Sequence, residues 1–194
     1  MGKAYANRKK EKDRPESDYY ITPRSLSREL MERLDWAVGT EVYEPCSGEG
    51  AIVDVLDEYG MVIRHDDIRT TGQDFLLHNE KHDYMIFNPP FSLFDDFVLK
   101  AQELTTKQYV VLIKTNFFGA YKRNEMGVWK HLKELYIFNR QVDYRTPMRE
   151  DGLFHVGNLI TGWAVFDKDW NENWWKTSII DVNKYAKLGS FKED

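Results

Sequence analysis

One cysteine, Cys46, in 194 residues excludes an internal disulfide. No apolar run approaches the roughly 20 residues needed to cross a bilayer, so no membrane-spanning helix is expected. The N-terminus is polar and lacks the apolar core of a secretory signal, and with the lone thiol this leads us to expect a reducing, cytoplasmic setting. The five histidines and the cysteine show no metal-ligand spacing, and no metal is expected. Internal repeats and low-complexity segments are also absent. A surplus of basic charge is missing too: 27 Lys/Arg stand against 32 Asp/Glu, for a net charge of −5. That balance argues mildly against a strong grip on phosphate. The deficit is uneven, because residues 1–14 hold six Lys/Arg and two acids, leaving 21 against 30 in the remainder. A basic N-terminal arm over residues 1–17 therefore precedes an acidic body, as a solvated terminus or as a phosphate-gripping arm.

What is present is enough apolar and aromatic surface, 42% and 14% of residues, to build one domain over residues 18–194. Apolar spacing predicts helices over residues 25–36, 51–59, 94–104 and 127–135. Short apolar runs predict strands over 41–45, 61–65, 84–87, 109–113, 135–138 and 159–166. Alternation of strand and helix predicts an α/β, doubly wound, mostly parallel sheet. The direct link between the last two strands predicts an antiparallel edge. Residues 170–194 show no clear period, and Trp170, Trp174 and Trp175 are read as packing residues.

Polar clusters fall where these strands end, which is where open α/β sheets bind ligands. Glu44-Pro45-Cys46-Ser47-Gly48-Glu49-Gly50 combines a carboxylate suited to an ammonium group with two glycines. The glycines serve equally a tight turn or a close backbone approach to a ligand. The full dinucleotide fingerprint and the Lys-Ser/Thr of a triphosphate loop are both missing. Asp66-Asp67 offers a carboxylate for ribose hydroxyls, or an acidic turn. Gly72-Gln73-Asp74-Phe75 sets an acceptor beside an aromatic ring, a pairing able to bind an adenine. The most specific cluster is Asn88-Pro89-Pro90-Phe91: two prolines fix φ and remove donors, so the Asn88 carboxamide oxygen and the Pro89 carbonyl become acceptors at set positions. Together they can receive both hydrogens of a planar amino group, with Phe91 stacked on its ring.

With these residues in order, the chain resembles the amino-methylating DNA methyltransferases, specifically the adenine-N6 branch and its small phage-type members, over residues 19–167. The resemblance implies a class I methyltransferase (Rossmann-like) fold, S-adenosylmethionine as cofactor, and the cytoplasm of a bacterial or phage-infected cell. It implies that Tyr20 and Thr22 contact the methionine part of the cofactor, and that Glu44, Pro45, Cys46, Ser47, Gly48 and Gly50 form the cofactor loop. Asp66 and Asp67 are then the ribose-binding acids, Asp74 and Phe75 the adenine contact, and Asn88, Pro89, Pro90 and Phe91 the catalytic tetrad, with Asn88 also beside the cofactor. The implied reaction is in-line attack of the adenine amino nitrogen on the sulfonium methyl, giving N6-methyladenine in DNA, with a flipped or single-stranded base. Arg140 and Tyr144, in a more loosely matching segment, and Lys114 and Asn116, after the fourth strand, are candidates for base or phosphate contacts.

The chain departs from the family in having no evident target-recognition domain, so residues 121–129 and 146–158, or a partner protein, are left to read sequence. Methylation of RNA adenine or of protein glutamine is the alternative within enzymes, since the tetrad recognises a planar nitrogen. A non-catalytic cofactor-binding or interaction module is the alternative outside them.

Overall fold

In the computed structural model, residues 20–144, 155 and 157–184 are described. The basic arm and most of the 146–158 loop lie outside them. Pro23 has φ −59° and precedes α1 (Arg24–Met31), whose Leu26 and Leu30 are completely buried. Proline suits this place because the first turn of a helix has no use for its missing N–H. β1 (Glu41–Glu44) runs into the glycine loop, and Gly50, left-handed at φ 82°, opens α2 (Ala51–Glu58). β2 (Val62–His65) follows. A 3-10 turn (Phe75–Leu77) leads to β3 (His82–Phe87). Then come α3 (Phe94–Leu104), β4 (Thr105–Lys114), α4 (Tyr121–Glu125), β5 (Leu132–Phe138), β6 (Thr161–Asp167) and β7 (Lys176–Ile180).

The strands form one seven-stranded sheet in the order β2-β1-β3-β4-β6-β5-β7. β1 to β4 are parallel, β6 runs against both β4 and β5, and β7 is parallel to β5. The α/β sheet expected from the sequence, mostly parallel with an antiparallel portion toward one edge, is therefore present. Alternation along β4 shows why both faces are covered. Val110 and Leu112 face a core shared with α1 and α2, while Tyr109, Val111 and Ile113 face a second core under α3. All five are fully buried. Burying each such side chain is worth roughly 1.5–3 kcal/mol. The indole Nε1 of Trp163, on β6, donates to the carbonyl of Leu26 at 3.0 Å and so fastens α1 to the sheet.

Two departures from the sequence reading have physical reasons. Residues 127–135 are not a helix. Gly127 and His131 both take left-handed φ, 72° and 68°, so the Val128, Leu132 and Leu135 spacing belongs to a turn followed by β5. β7 was not anticipated, because four of its five residues are exposed or half-buried and no period-2 pattern marks it. Of the tryptophans read as packing residues, Trp174 and Trp175 are exposed and make only surface ring contacts: Trp175 stacks on Phe118 at 5.4 Å, and Trp174 meets the half-buried Trp170 edge-on at 4.8 Å.

Gly162, on β6, lies so close to β5 that a Cβ would come 2.3 Å from the Tyr136 carbonyl oxygen. Gly162→Ala is therefore expected to cost about 1–3 kcal/mol of stability in urea denaturation, the usual cost of overpacking, and an unchanged midpoint would contradict this contact.

Candidate active site

β1 and β3 are neighbours, yet the chain leaves β1 through α2 on one face and reaches β3 through the 3-10 turn on the other. Such a reversal opens a crevice beyond the carboxyl ends of the two strands. A cleft lies there, with about 920 Å³ of empty space including its open mouth.

Five stretches supply most of its lining, and Ala51 and Ile52 of α2 with Phe97 of α3 complete it. The five contribute Tyr20, Ile21 and Thr22 ahead of α1; Glu44, Pro45, Cys46, Ser47, Gly48 and Glu49 after β1; Asp67, Ile68 and Arg69 after β2; Gln73, Asp74 and Phe75; and Asn88, Pro89 and Pro90 after β3. The structure thus gathers most of the sequence-selected residues into one cavity. Gly50 is outside the lining and shapes it instead, as the left-handed residue that turns the loop into α2. Asp66 is also outside: its carboxylate accepts from the Tyr43 hydroxyl at 3.1 Å and the Thr71 hydroxyl at 3.3 Å. Asp67 is the acid that faces the cleft. Its Oδ2 accepts the Gly48 N–H at 3.1 Å and its Oδ1 the Arg69 N–H at 2.7 Å, which ties the glycine loop to the end of β2.

Asn88 is held by two hydrogen bonds from its side-chain amide. Its Nδ2 donates to the Tyr20 carbonyl and to the Thr22 hydroxyl, both at 3.0 Å. A carbonyl can only accept, so the contact with Tyr20 fixes which end of the amide is nitrogen. Both N–H bonds are then used, and the oxygen is left as the acceptor. Asp74 Oδ1 accepts the Leu76 N–H at 2.9 Å and caps the turn that carries Phe75, itself packed between Phe87 at 5.9 Å and Phe97 at 5.2 Å.

Phe91 starts a 3-10 turn just outside the cleft lining. Around it stand Tyr20 at 5.7 Å, Phe117 at 5.9 Å in edge-on contact, and the Lys114 ammonium 4.0 Å above its ring. Lys114 is therefore beside the tetrad. Tyr144 is buried, its hydroxyl 2.6 Å from that of Thr161 and its ring 6.3 Å from Tyr20, so it supports this corner from behind. Asn116 is exposed on the turn after β4 and Arg140 half-buried after β5; neither lines the cleft. Sequence reasoning missed Arg69, which directly follows the Asp67 turn, and Phe97, whose helical spacing marked it only as core.

No protein-family model matches the chain, and no curated protein does. Solved structures do match. A modification subunit of a candidate type I restriction enzyme from Vibrio vulnificus superposes with a TM-score of 0.63 at 11% identity, covering 89% of this chain and 52% of its own. The methyltransferase subunit of a type I restriction-modification system from Streptococcus thermophilus gives 0.59 at 10%, covering 85% and 48%. A candidate RNA methyltransferase from Pyrococcus horikoshii gives 0.53 at 16%, covering 80% and 90%. The fold is that of the class I methyltransferases. The chain spans about half the length of the two restriction-system subunits. Within this methyltransferase fold the cleft sits at the switch point between β1 and β3, and no helix among the described residues is long and apolar enough to cross a membrane.

Four acids, Glu44, Glu49, Asp67 and Asp74, and one base, Arg69, line the cleft, so its balance is acidic. Glu44 is fully buried and its Oε2 has no hydrogen-bond partner. Burial first, then the charges of Asp67 and Asp54, push its carboxyl well above the ordinary range. The folded protein thus holds a proton that the unfolded chain releases, and stability from this group falls as pH rises above the ordinary glutamate pKa. Glu44→Gln is expected to unfold at a higher temperature than the parent protein at pH 8, with the gap closing toward about pH 4. A gap that widens on acidification, followed by calorimetry, would contradict this origin.

Proposed function

We propose that this chain is an S-adenosylmethionine-dependent methyltransferase that modifies the exocyclic N6 amino group of adenine in DNA. The observation that carries the reading is Asn88: an amide with its nitrogen committed to Tyr20 and Thr22 and its oxygen left to accept, between the cleft and two prolines. An acceptor oriented in this way selects a donor with hydrogens in a plane, which is what an aromatic amino group presents.

The cofactor fits the residues present. An orphaned buried carboxylate oxygen on Glu44 suits the ammonium of its methionine part, and the acidic walls suit its positive charge. Asp67 retains lone pairs for ribose hydroxyls beyond the two it uses for backbone N–H groups. Asp74 and Phe75 offer an acceptor and a ring for its adenine. When bound, S-adenosylmethionine supplies an electrophilic methyl group on sulfur, and its transfer leaves S-adenosylhomocysteine.

The protein's own work is positional. Asn88 Oδ1 and the Pro89 carbonyl accept the two amino hydrogens of the target base, which turns the nitrogen lone pair toward the methyl and favours its rehybridisation as the new bond forms. The proton is lost from nitrogen after transfer, so no covalent bond to the enzyme is needed. Phe91, backed by Tyr20 and Phe117, supplies the stacking surface for an unstacked base once the Lys114 ammonium, which lies over its buried ring, swings aside. The likeness to the restriction-system subunits favours DNA. RNA is the second reading, favoured by the candidate RNA methyltransferase, 90% of whose length is covered. Sequence recognition falls to residues 121–129 and 146–158 or to a partner protein.

Incubation with labelled S-adenosylmethionine and unmethylated DNA, with RNA and a protein extract in parallel, is expected to place label in N6-methyladenine of DNA by nucleoside mass spectrometry. Asn88→Ala is expected to lower turnover by about 10²–10³-fold with cofactor affinity largely kept. Label on a protein glutamine, or full activity in the variant, would sink the proposal.

A further inference from the structure

At the end of β3 opposite Asn88, the run His78-Asn79-Glu80-Lys81-His82 leads into the strand. His78, Glu80 and His82 each bring one ligand atom to within 4.8 Å of the others. The two imidazole Nε2 atoms face each other at 2.9 Å. Tyr43 holds both rings in place, stacked on His82 at 4.2 Å and on His78 at 5.0 Å. His82 is buried, His78 half-buried and Glu80 at the surface.

Two nitrogens this close cannot both carry a proton, so at least one is an acceptor and the gap between them favours a shared proton or a cation. Burial first, then the positive charges of His78 and Arg64, lower the His82 pKa, while Glu80 and Glu41 oppose that shift. Two imidazole nitrogens and a carboxylate form a donor set for zinc and its neighbours. With bonds of about 2.0–2.1 Å in tetrahedral geometry the two nitrogens would stand roughly 3.3 Å apart, so the rings need part only by a few tenths of an ångström. Arg64 clamps Glu80 at 2.7 and 2.9 Å. An ionised carboxylate has about four lone-pair sites, which allows Glu80 to keep Arg64 and still turn one toward an ion.

We propose that His78, Glu80 and His82 form a binding site for a divalent transition-metal ion, with zinc the best match to the donors and water completing the shell. The ion would close the connection from the Phe75–Leu77 turn to β3 and clamp the segment that carries Asp74 and Phe75. Its place at the far end of β3 makes it a structural site, outside the methyl-transfer chemistry and independent of that reading.

The test uses the full untagged chain, stripped with chelator and desalted, titrated with zinc chloride by calorimetry at pH 7.5 and with cobalt chloride by visible absorption. Saturable binding of one ion per chain is expected, with tetrahedral cobalt bands and a thermal midpoint that rises with zinc. His78→Ala should abolish the cobalt bands. Glu80→Gln, a surface change that leaves the fold intact, should weaken zinc by at least about tenfold. Affinity should also fall as pH drops through the imidazole range. No saturable binding by the parent chain, or equal affinity in both variants, would overturn the site.

Discussion

Two hydrogen bonds from one side-chain amide connect parts of the chain 66 and 68 residues apart, and the candidate site depends on them. Through Asn88, the stretch ahead of α1 is joined to the end of β3. Without that link the Asn88 carboxamide would be free to turn either end toward the cleft. The rest of the molecule supports the same junction. Pro23 starts α1 immediately afterwards, Trp163 on β6 fixes α1 through Leu26, and Tyr144 packs behind Tyr20. A local amide orientation is thus set by contacts that reach across the sheet.

The second constraint is electrostatic. Glu44 sits fully buried with an oxygen lacking a partner, next to other acids, an arrangement that lowers stability in the absence of a ligand. Asp67 bonds to the glycine loop and keeps the two acids at one wall. A cleft with this charge is poorly suited to an anionic ligand such as a triphosphate and well suited to a cationic one. Stability is lower here, and a bound cation would favour loss of the Glu44 proton and pairing with the carboxylate.

Much of this was legible in the sequence because it is local. A strand ending in a glycine loop, an acid after the next strand and an Asn-Pro-Pro-Phe tetrad each announce themselves within seven residues, and the predicted helix over 94–104 has the bounds of α3. Long-range facts were not legible. Which of Asp66 and Asp67 faces the cleft depends on Tyr43 and Thr71. Residues 127–135 carry apolar spacing compatible with a helix, and only the left-handed backbone of Gly127 and His131 breaks it. β7 has exposed residues where a period would be sought. His78, Glu80 and His82 do alternate in sequence, a signal that spacing rules built on cysteine and helical histidine pairs pass over.

The candidate site turns on the orientation of Asn88, which a crystal structure with S-adenosylhomocysteine and an adenine-containing oligonucleotide would display. The account predicts the adenine N6 within about 3 Å of both Asn88 Oδ1 and the Pro89 carbonyl, with Nδ2 still on Tyr20 and Thr22. A base seated elsewhere, or an Asn88 amide that turns its nitrogen toward the ligand, would contradict it.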